Sequence, residues 1–481
     1  MRLINPLIIL KILSTILLIE TVAFLFCLPV TLIYNETADP FLWSALVTIS
    51  ISVIFYLISK NSDIRTASIR DGYIIVSAAW LILSAIGTLP YLFSGTINSF
   101  TDAFFESASG FTTTGSSVIP DVEVLPFSIL FYRSLTHWVG GLGIIALVVV
   151  ILPAFRFTGY HLFSLESSMK EKILPKTRSI GYRLLYIYLG LTITEIIFLV
   201  IGDMNLFESI CHTFGTVATG GFSTRNSSIG AYSSYSQYII MIFMFLSGIS
   251  YVVYYWLFKL NLRKVKQNEE IWFYFATALI AGAVASFILI SKTDRTFEVA
   301  FREGFFQVIS IITTTGFISS DYLLWPVPGI LLIFFLLFTG ACTGSTTGNI
   351  KMARHLLVLR NIKYVFIKIT HSNAIYQIKL NRNVLSSNTN ISIITFVVFY
   401  LFIFIAGTIF ITITGMDPVT SASAVASSMG NIGPGLGSIG PVYNYAHLPD
   451  LGKMMLSFLM ILGRLEIFTI FILFTRSFWK V

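Results

Sequence analysis

Charge is scarce in this sequence. Asp, Glu, Lys and Arg make up 11% of its 481 residues, against 55% hydrophobic residues and a mean hydropathy of +0.83. A soluble domain could not cover its surface with so little charge, which leaves an integral membrane protein. Cysteine is equally sparse: Cys27, Cys211 and Cys342 are an odd number at unrelated spacings in or beside apolar segments. That pattern supports neither a disulfide framework nor a zinc site. Histidines 137, 161, 212, 355, 371 and 447 are scattered over loops and separate segments. No nucleophile with a base and no ligand cluster gathers at one depth, which argues against a membrane enzyme. Phosphate-cradling loops and dinucleotide fingerprints are missing too, so no cofactor is expected on this chain, and nothing in it points to nucleic acid. No cleavable secretory signal is evident, because the first apolar stretch is long and leads straight into a second.

What is abundant is apolar sequence of spanning length, about 20 residues as a helix. Ten such segments are read at 8–34, 41–60, 72–97, 127–152, 183–202, 236–258, 271–291, 325–350 (interrupted), 391–415 and 453–475. An even number puts both termini on one side. Most of the 31 Lys and Arg residues collect at the termini and near 60–71, 153–183, 259–270 and 351–390, which the positive-inside rule assigns to the cytoplasm. Arg133, Arg225, Lys292, Arg295, Arg302 and Lys453 fall opposite, and Arg464 lies within a span. Acids dominate the outer loops, among them Asp102, Glu106, Asp121, Glu123, Glu208 and Asp417. Either this is the ordinary sorting of charge by topology, or it concentrates cations at a mouth.

Four times a stretch built for a helix runs into a short tetrad that an ordinary membrane helix would not contain: Thr112-Thr113-Thr114-Gly115, Val217-Ala218-Thr219-Gly220, Thr313-Thr314-Thr315-Gly316 and Gly430-Asn431-Ile432-Gly433. They recur at intervals of roughly 100 residues, room for one segment down, a loop and one segment back. The stretches before them (104–111, 207–214, 305–310 and 422–428) amount to about three turns or fewer, too short to cross. A half-length helix followed by extended backbone is tolerated at membrane depth only where protein or a water-filled cavity receives it. Re-entrant pore loops are the natural reading. The terminal glycines permit φ > 0 and leave no Cβ at the axis, so carbonyls of the preceding residues can replace the hydration shell of a monovalent cation. Such a cation is assigned to Thr113, Thr114, Ala218, Thr219, Thr314, Thr315, Asn431 and Ile432. The expected architecture is an all-α polytopic fold: a fourfold pseudo-symmetric repeat of helix, pore loop and helix around a central pore. Residues 1–70 form two extra helices, and the repeats occupy 71–155, 156–265, 266–385 and 386–481.

The motifs Phe111-Thr112-Thr113-Thr114-Gly115, Thr216 to Phe222, Ile311 to Phe317, Asn431 to Gly437, Gly140 to Ile145 and Gly463 to Phe468 give the chain, over essentially its whole length, a resemblance to TrkH-type subunits of the Trk/Ktr/HKT superfamily of potassium transporters. Glycine at the filter position of all four repeats, here Gly115, Gly220, Gly316 and Gly433, accompanies potassium preference in that family, whereas a serine in the first accompanies sodium permeation. The resemblance implies potassium as substrate, a bacterial inner-membrane location, a homodimer, and a TrkA-like cytosolic nucleotide-binding regulatory subunit that alone would carry the nucleotide.

Thr339 to Asn349, with Gly340, Gly344, Ser345, Thr346, Thr347 and Gly348 ahead of Lys351, interrupts the eighth span. Glycines at spacing four could form a helix-packing face; the hydroxyls and Lys351 favour a flexible loop lining a wet cavity. The resemblance makes it an intramembrane loop that obstructs the cytoplasmic half of the pore, with Arg464 against it as part of the gate. An arginine within a span costs about 2.5 to 3.5 kcal/mol and needs a partner. Glu466, two residues on, would point to a different face of the helix, so carbonyls or hydroxyls of the 340–349 loop are the expected partners. The stretch 351–382 has seven cations and no acid, suiting anionic lipid or the regulatory subunit. No unpaired acid marks a proton- or sodium-coupling site, so channel-like flux and symport both stay open. An ion-coupled carrier of an organic solute is the alternative function, since it too would use broken helices.

Overall fold

In a computed structural model the chain is described over residues 4–146, 177–371 and 377–480. The repeat boundary expected at 155/156, most of the basic loop 153–183, His161 and the end of the 127–152 segment lie outside the described residues. Among the described residues only one sheet occurs, a hairpin pairing Lys379–Leu380 with Asn383–Val384. Everything else is helix and connection. Among the described residues six helices are long and apolar enough to cross a membrane: Pro6–Ile33, Asp39–Ser59, Ile69–Phe93, Gly181–Ile201, Glu269–Lys292 and Ser387–Ile413. Apolar side chains such as Leu18, Ile19, Val22, Trp43, Ile280, Phe287, Val398 and Phe402 are exposed along them, as helices facing lipid require. Helices Phe127–Ala146 and Val327–Leu336 match two further expected segments.

The remaining two expected spans are not straight. Ser234–Ser247 and Tyr251–Phe258 meet at 92°, and Asp450–Arg464 and Phe468–Phe474 at 103°. Both breaks have a local cause. At the first, the helical ladder stops with the amide of Gly248, and the gap is filled from residue 340 onward: Cys342 N donates to Gly248 O at 3.0 Å and Tyr251 N to Gly344 O at 3.0 Å. At the second, Glu466 takes φ 53° and turns to Arg354, whose Nη2 lies 2.6 Å from Glu466 Oε2. The helical-face argument for Arg464 and Glu466 therefore fails, because the helix ends at Arg464. Each bent pair, taken together, is still long and apolar enough to pass for one span, so hydropathy averaged over a spanning window reads them as continuous.

The two N-terminal helices form an antiparallel pair, with Ser52 Oγ bonded to Ser14 O at 2.8 Å and Lys11 Nζ reaching Ser62 O at 2.6 Å. The first packs against Ile69–Ile86 and the second against Leu89–Phe93, outside the fourfold arrangement. Four short helices point into the centre: Phe100–Phe111, Leu206–Val217, Phe297–Ile312 and Pro418–Gly430. The third has 16 residues, longer than its sequence suggested, yet at 1.5 Å per residue it rises only about 24 Å, short of a crossing. Asn205 and Asp417 cap the second and fourth, accepting from Glu208 N at 2.9 Å and Thr420 N at 3.0 Å.

Each short helix is tied to the chain that leaves its tetrad, most firmly in the first repeat. Arg133 Nε donates to Glu106 Oε1 at 2.9 Å with side chains 2% and 0% exposed. Glu106 Oε2 accepts Val118 N at 2.9 Å, Arg133 Nη1 donates to Ser223 O at 3.3 Å, and the guanidinium covers the Phe222 ring at 4.1 Å. This network joins repeats one and two. In the second repeat His212 Nε2 bonds Ser223 Oγ at 2.9 Å; in the third, Gln307 Nε2 donates to Ser320 O at 3.3 Å. Many of the acids expected on the outer face are thus used internally. Asp102 takes Lys453 at 2.6 Å, Glu208 takes Arg225 at 2.8 Å, and Glu36 accepts Phe127 N at 2.7 Å. Asp121, exposed and bonded by Asn226 at 2.7 Å, is held below the usual carboxylate range by that bond. Removing one partner of a buried pair strands the other charge, at about 3–5 kcal/mol. Glu106→Ala is expected to lower thermal stability in detergent by about that amount, while Glu106→Gln with Arg133→Met recovers part of it; melting followed by size-exclusion chromatography checks both.

Candidate functional site: a four-part ring and the loop beneath it

All four short helices end at the same place. After each C-terminus the chain makes one repeated manoeuvre, a residue at positive φ, one more residue, then a glycine at positive φ. The pairs are Thr113 (53°) with Gly115 (82°), Thr219 (57°) with Gly221 (84°), Thr314 (55°) with Gly316 (75°), and Asn431 (55°) with Gly433 (109°). The intervening residue bonds back five positions in every copy: Thr114 N to Ser109 O, Gly220 N to Gly215 O, Thr315 N to Ser310 O and Ile432 N to Ser427 O, at 2.7 to 3.0 Å.

This geometry corrects the second tetrad by one residue. The equivalent of Thr112 to Gly115 is Ala218-Thr219-Gly220-Gly221, so Val217 is the last residue of its helix. Gly220 stands where Thr114 does, and Gly221 takes the glycine position. By the same shift, Ala218 matches Thr112, and the backbone positions equivalent to Thr113 and Thr114 are Thr219 and Gly220. Sequence offered two adjacent glycines and no means of choosing. Gly220 is small for a different reason: a Cβ there would strike the His137 ring. That ring is held between Gly110 O, at 2.8 Å from Nδ1, and Phe222 N, at 3.1 Å from Nε2. Nε2 accepts from the amide, so Nδ1 carries the proton. His137 thereby ties the first pore helix to the chain leaving the second tetrad, a function no spacing rule flagged.

The four glycines close a ring. A Cβ on Gly115 would collide with the carbonyl of Gly220, one on Gly221 with Thr315 O, one on Gly316 with Ile432 O, and one on Gly433 with Thr114 O, each inside the 3.0 Å that Cβ atoms essentially never breach. Each repeat's glycine thus lies against the next repeat's carbonyl, in chain order, and the fourth returns to the first. Side chains brace the ring from behind. Thr112 and Thr114 hydroxyls are 2.7 Å apart, as Thr313 and Thr315 are at 2.9 Å. Asn431 Nδ2 donates to Thr114 Oγ1 and to Met460 O, both at 2.9 Å. Gly140 and Gly463 let the flanking helices touch the pore-helix ends at Phe111 O and Met429 O, where any Cβ would clash. Four helix C-termini converging on one point also present the negative ends of four macrodipoles to it.

The run from Gly340 to Lys351 lies directly under this ring and contains no helix; the next helix starts at Met352. Its glycines therefore do not form a helix-packing face. Gly340 and Gly348 instead permit close backbone approaches to Gly348 O and Gly430 O. Gly348 N donates to Thr314 Oγ1 at 2.9 Å, and Thr346 Oγ1 to Val217 O at 3.2 Å. Arg464 Nη1 donates to Thr346 O at 2.6 Å, with Nη2 at 3.5 Å from Gly140 O. The buried arginine thus meets the partner class its position demanded. Ser345 and Thr347 hydroxyls pair at 2.8 Å, and Lys351 Nζ donates to Thr347 O and Oγ1.

The cationic stretch that follows is less bare than its sequence. Lys351 is buried, Arg354 reaches Glu466, and Arg360 pairs with Glu269 at 3.0 Å. Acids from distant segments supply what the local sequence lacks. Lys363, Lys368, Lys379 and Arg382 remain exposed.

Comparison with known proteins bears on the whole arrangement. The sequence model of the family TrkH, cation transport protein, matches residues 41–278 and 296–480. The Trk system potassium uptake protein TrkH of Halomonas elongata is 34% identical over 454 residues, 91% of this chain and 93% of that protein. TrkH of Escherichia coli K12 is 33% identical, covering 94% of both. The crystal structure of the potassium transporter TrkH from Vibrio parahaemolyticus superposes with a TM-score of 0.90 at 32% identity over 99% of this chain and all of that one. With a ring contributed by four repeats and kinship running end to end, the chain belongs to the TrkH family of cation transport proteins.

Proposed function

We propose that this chain is the membrane subunit of a potassium uptake system, conducting through the ring of Thr112 to Gly115, Ala218 to Gly221, Thr313 to Gly316 and Gly430 to Gly433. The observation that carries the reading is the closed circuit of glycine against carbonyl. Four backbones approach one axis too closely for side chains, so an ion there is met by peptide oxygens, which suit a dehydrated monovalent cation. Relatives of matching length bear the name potassium uptake protein. A carrier for an organic solute would need two halves with substrate-specific side chains at the midplane; four loops meeting in one ring do not offer that.

In this mechanism potassium sheds water at the outer mouth, passes the ring in single file and meets the 340–349 loop, whose position Arg464 and Lys351 set. The membrane potential supplies about 2.3 kcal/mol per charge per 100 mV. The positive-inside pattern supports cytoplasmic termini in the bacterial inner membrane. Exposed Lys363, Lys368, Lys379 and Arg382 are the surface from which we infer contact with a TrkA-like cytosolic nucleotide-binding subunit or anionic headgroups. Family resemblance supports a homodimer.

Rubidium-86 flux into proteoliposomes at a fixed diffusion potential tests the function: potassium competes and sodium does not, whereas competition by an organic solute alone overturns the reading. Gly115→Ser and Gly221→Ser are each expected to reduce potassium over sodium selectivity by about tenfold, on the order of 1.4 kcal/mol of discrimination, measured as the permeability ratio. An unaltered ratio in both removes the ring from the selectivity filter. Deleting residues 344–348 is expected to raise basal rubidium flux; flux at the parent level would take the gate away from this loop.

A further inference from the structure

Glu270 lies at the start of the helix Glu269–Lys292, far in sequence from the loop beneath the ring, and is 1% exposed. Its Oε1 accepts three hydrogen bonds, from Thr343 N at 2.6 Å, Thr343 Oγ1 at 2.9 Å and Ala353 N at 3.0 Å. Thr343 lies near the start of the loop and Ala353 follows it in the first turn of the next helix. One oxygen therefore fastens both ends of the segment between them, while Oε2 is buried without a hydrogen-bond partner among the described residues. A carboxylate with three donors on one atom is a strong, charge-assisted anchor.

The preceding residue faces the other way. Glu269 Oε2 pairs with Arg360 Nη1 at 3.0 Å and accepts Asn381 N at 2.7 Å, and Glu269 N donates to Asn381 Oδ1 at 2.8 Å. Arg360 also donates to Lys379 O. Two consecutive carboxylates on one helix end thus hold the loop on one side and the exposed cationic hairpin on the other.

We infer that Glu270 is the positioning residue that holds the 343–349 loop in its obstructing place, and that Glu269 joins this anchor to the cytoplasmic hairpin. Displacing the hairpin pulls on the helix end that holds the loop, which gives a soluble partner a mechanical route to the pore without touching the membrane interior. The inference rests on the reading of this loop as the gate.

Cys342, buried beside Thr343, is a built-in reporter of loop position. In a Cys27→Ala/Cys211→Ala background, reconstituted full-length protein carrying Glu270→Ala is expected to show about tenfold faster labelling of Cys342 by a small methanethiosulfonate. Basal rubidium flux is expected to rise several-fold with an unchanged potassium to sodium ratio. Glu270→Gln, which keeps one acceptor oxygen, restores most of the parent behaviour, a rescue that general loss of packing would not produce. Parent labelling in Glu270→Ala overturns the positioning role. Faster labelling with parent flux upholds that role and overturns the loop as gate. Should Glu270→Ala not assemble, Thr343→Val, which deletes one of the three donors, is read the same way, and parent labelling there overturns the inference.

Discussion

Four glycines set the tolerances of this molecule. Gly115, Gly221, Gly316 and Gly433 each accept a neighbouring repeat's carbonyl where a Cβ would sit, and positive φ at all four excludes most side chains independently of space. Circuits of this kind close only if every member holds its place. The short helices must stop at one depth, and the chains leaving them must turn outward together. Arg133 with Glu106, His137 with Gly110 and Phe222, and Asn431 with Thr114 and Met460 supply that registration through side chains behind the ring backbone. They are neither decoration nor chemistry. Their work is to keep four separately encoded backbones within hydrogen-bonding tolerance of one another.

A second constraint comes from the solvent. Irregular backbone at membrane depth must find partners inside the protein, and among the described residues three such stretches lie on the loop's side of the ring: 248–250, 340–351 and 465–467. They satisfy one another. The first break exchanges hydrogen bonds with Cys342 and Gly344, and the third contributes Glu466 to Arg354, just past the loop. Arg464, at the edge of the third, donates into the loop itself. None of the three could exist alone at that depth, which explains why breaks so distant in sequence occur side by side.

Much of this was legible in the residues. Composition dictated a membrane protein, the tetrads revealed four repeats, and a lone arginine in an apolar span called for carbonyl partners that the loop provides. What escaped has physical reasons. Val-Ala-Thr-Gly-Gly contains two glycines, and only the helix end at Val217 and the φ pattern show that the second completes the ring. The bends at 248–250 and 465–467 escape hydropathy because each pair of helices, averaged over a spanning window, is still apolar enough for one span. Glu270 reads as an acid at a membrane interface, since nothing local announces that its partners lie 73 and 83 positions away. Sequence leaves Asp102 and Glu208 open between ordinary charge sorting and a cation-attracting mouth, and only placing Lys453 and Arg225 in space shows each acid paired with a cation.

The loop's bonds run upward as well as outward, and this joins two properties usually treated apart. Gly348 N holds Thr314 Oγ1, and Thr346 Oγ1 holds Val217 O at the end of a pore helix, while Arg464 grips the Thr346 carbonyl. Moving the loop away from the axis therefore releases one hydrogen bond to the third repeat's tetrad and, at Thr346, one to the second repeat's helix end and one to its Thr219. Whatever stabilises those two backbones, an ion in the ring included, acts on the same equilibrium that the loop's displacement acts on. Linkage of this kind is reciprocal: if loop position alters ion affinity in the ring, ion occupancy alters loop position by the same factor. Ring and loop are then one cooperative unit, with Thr346 at its centre.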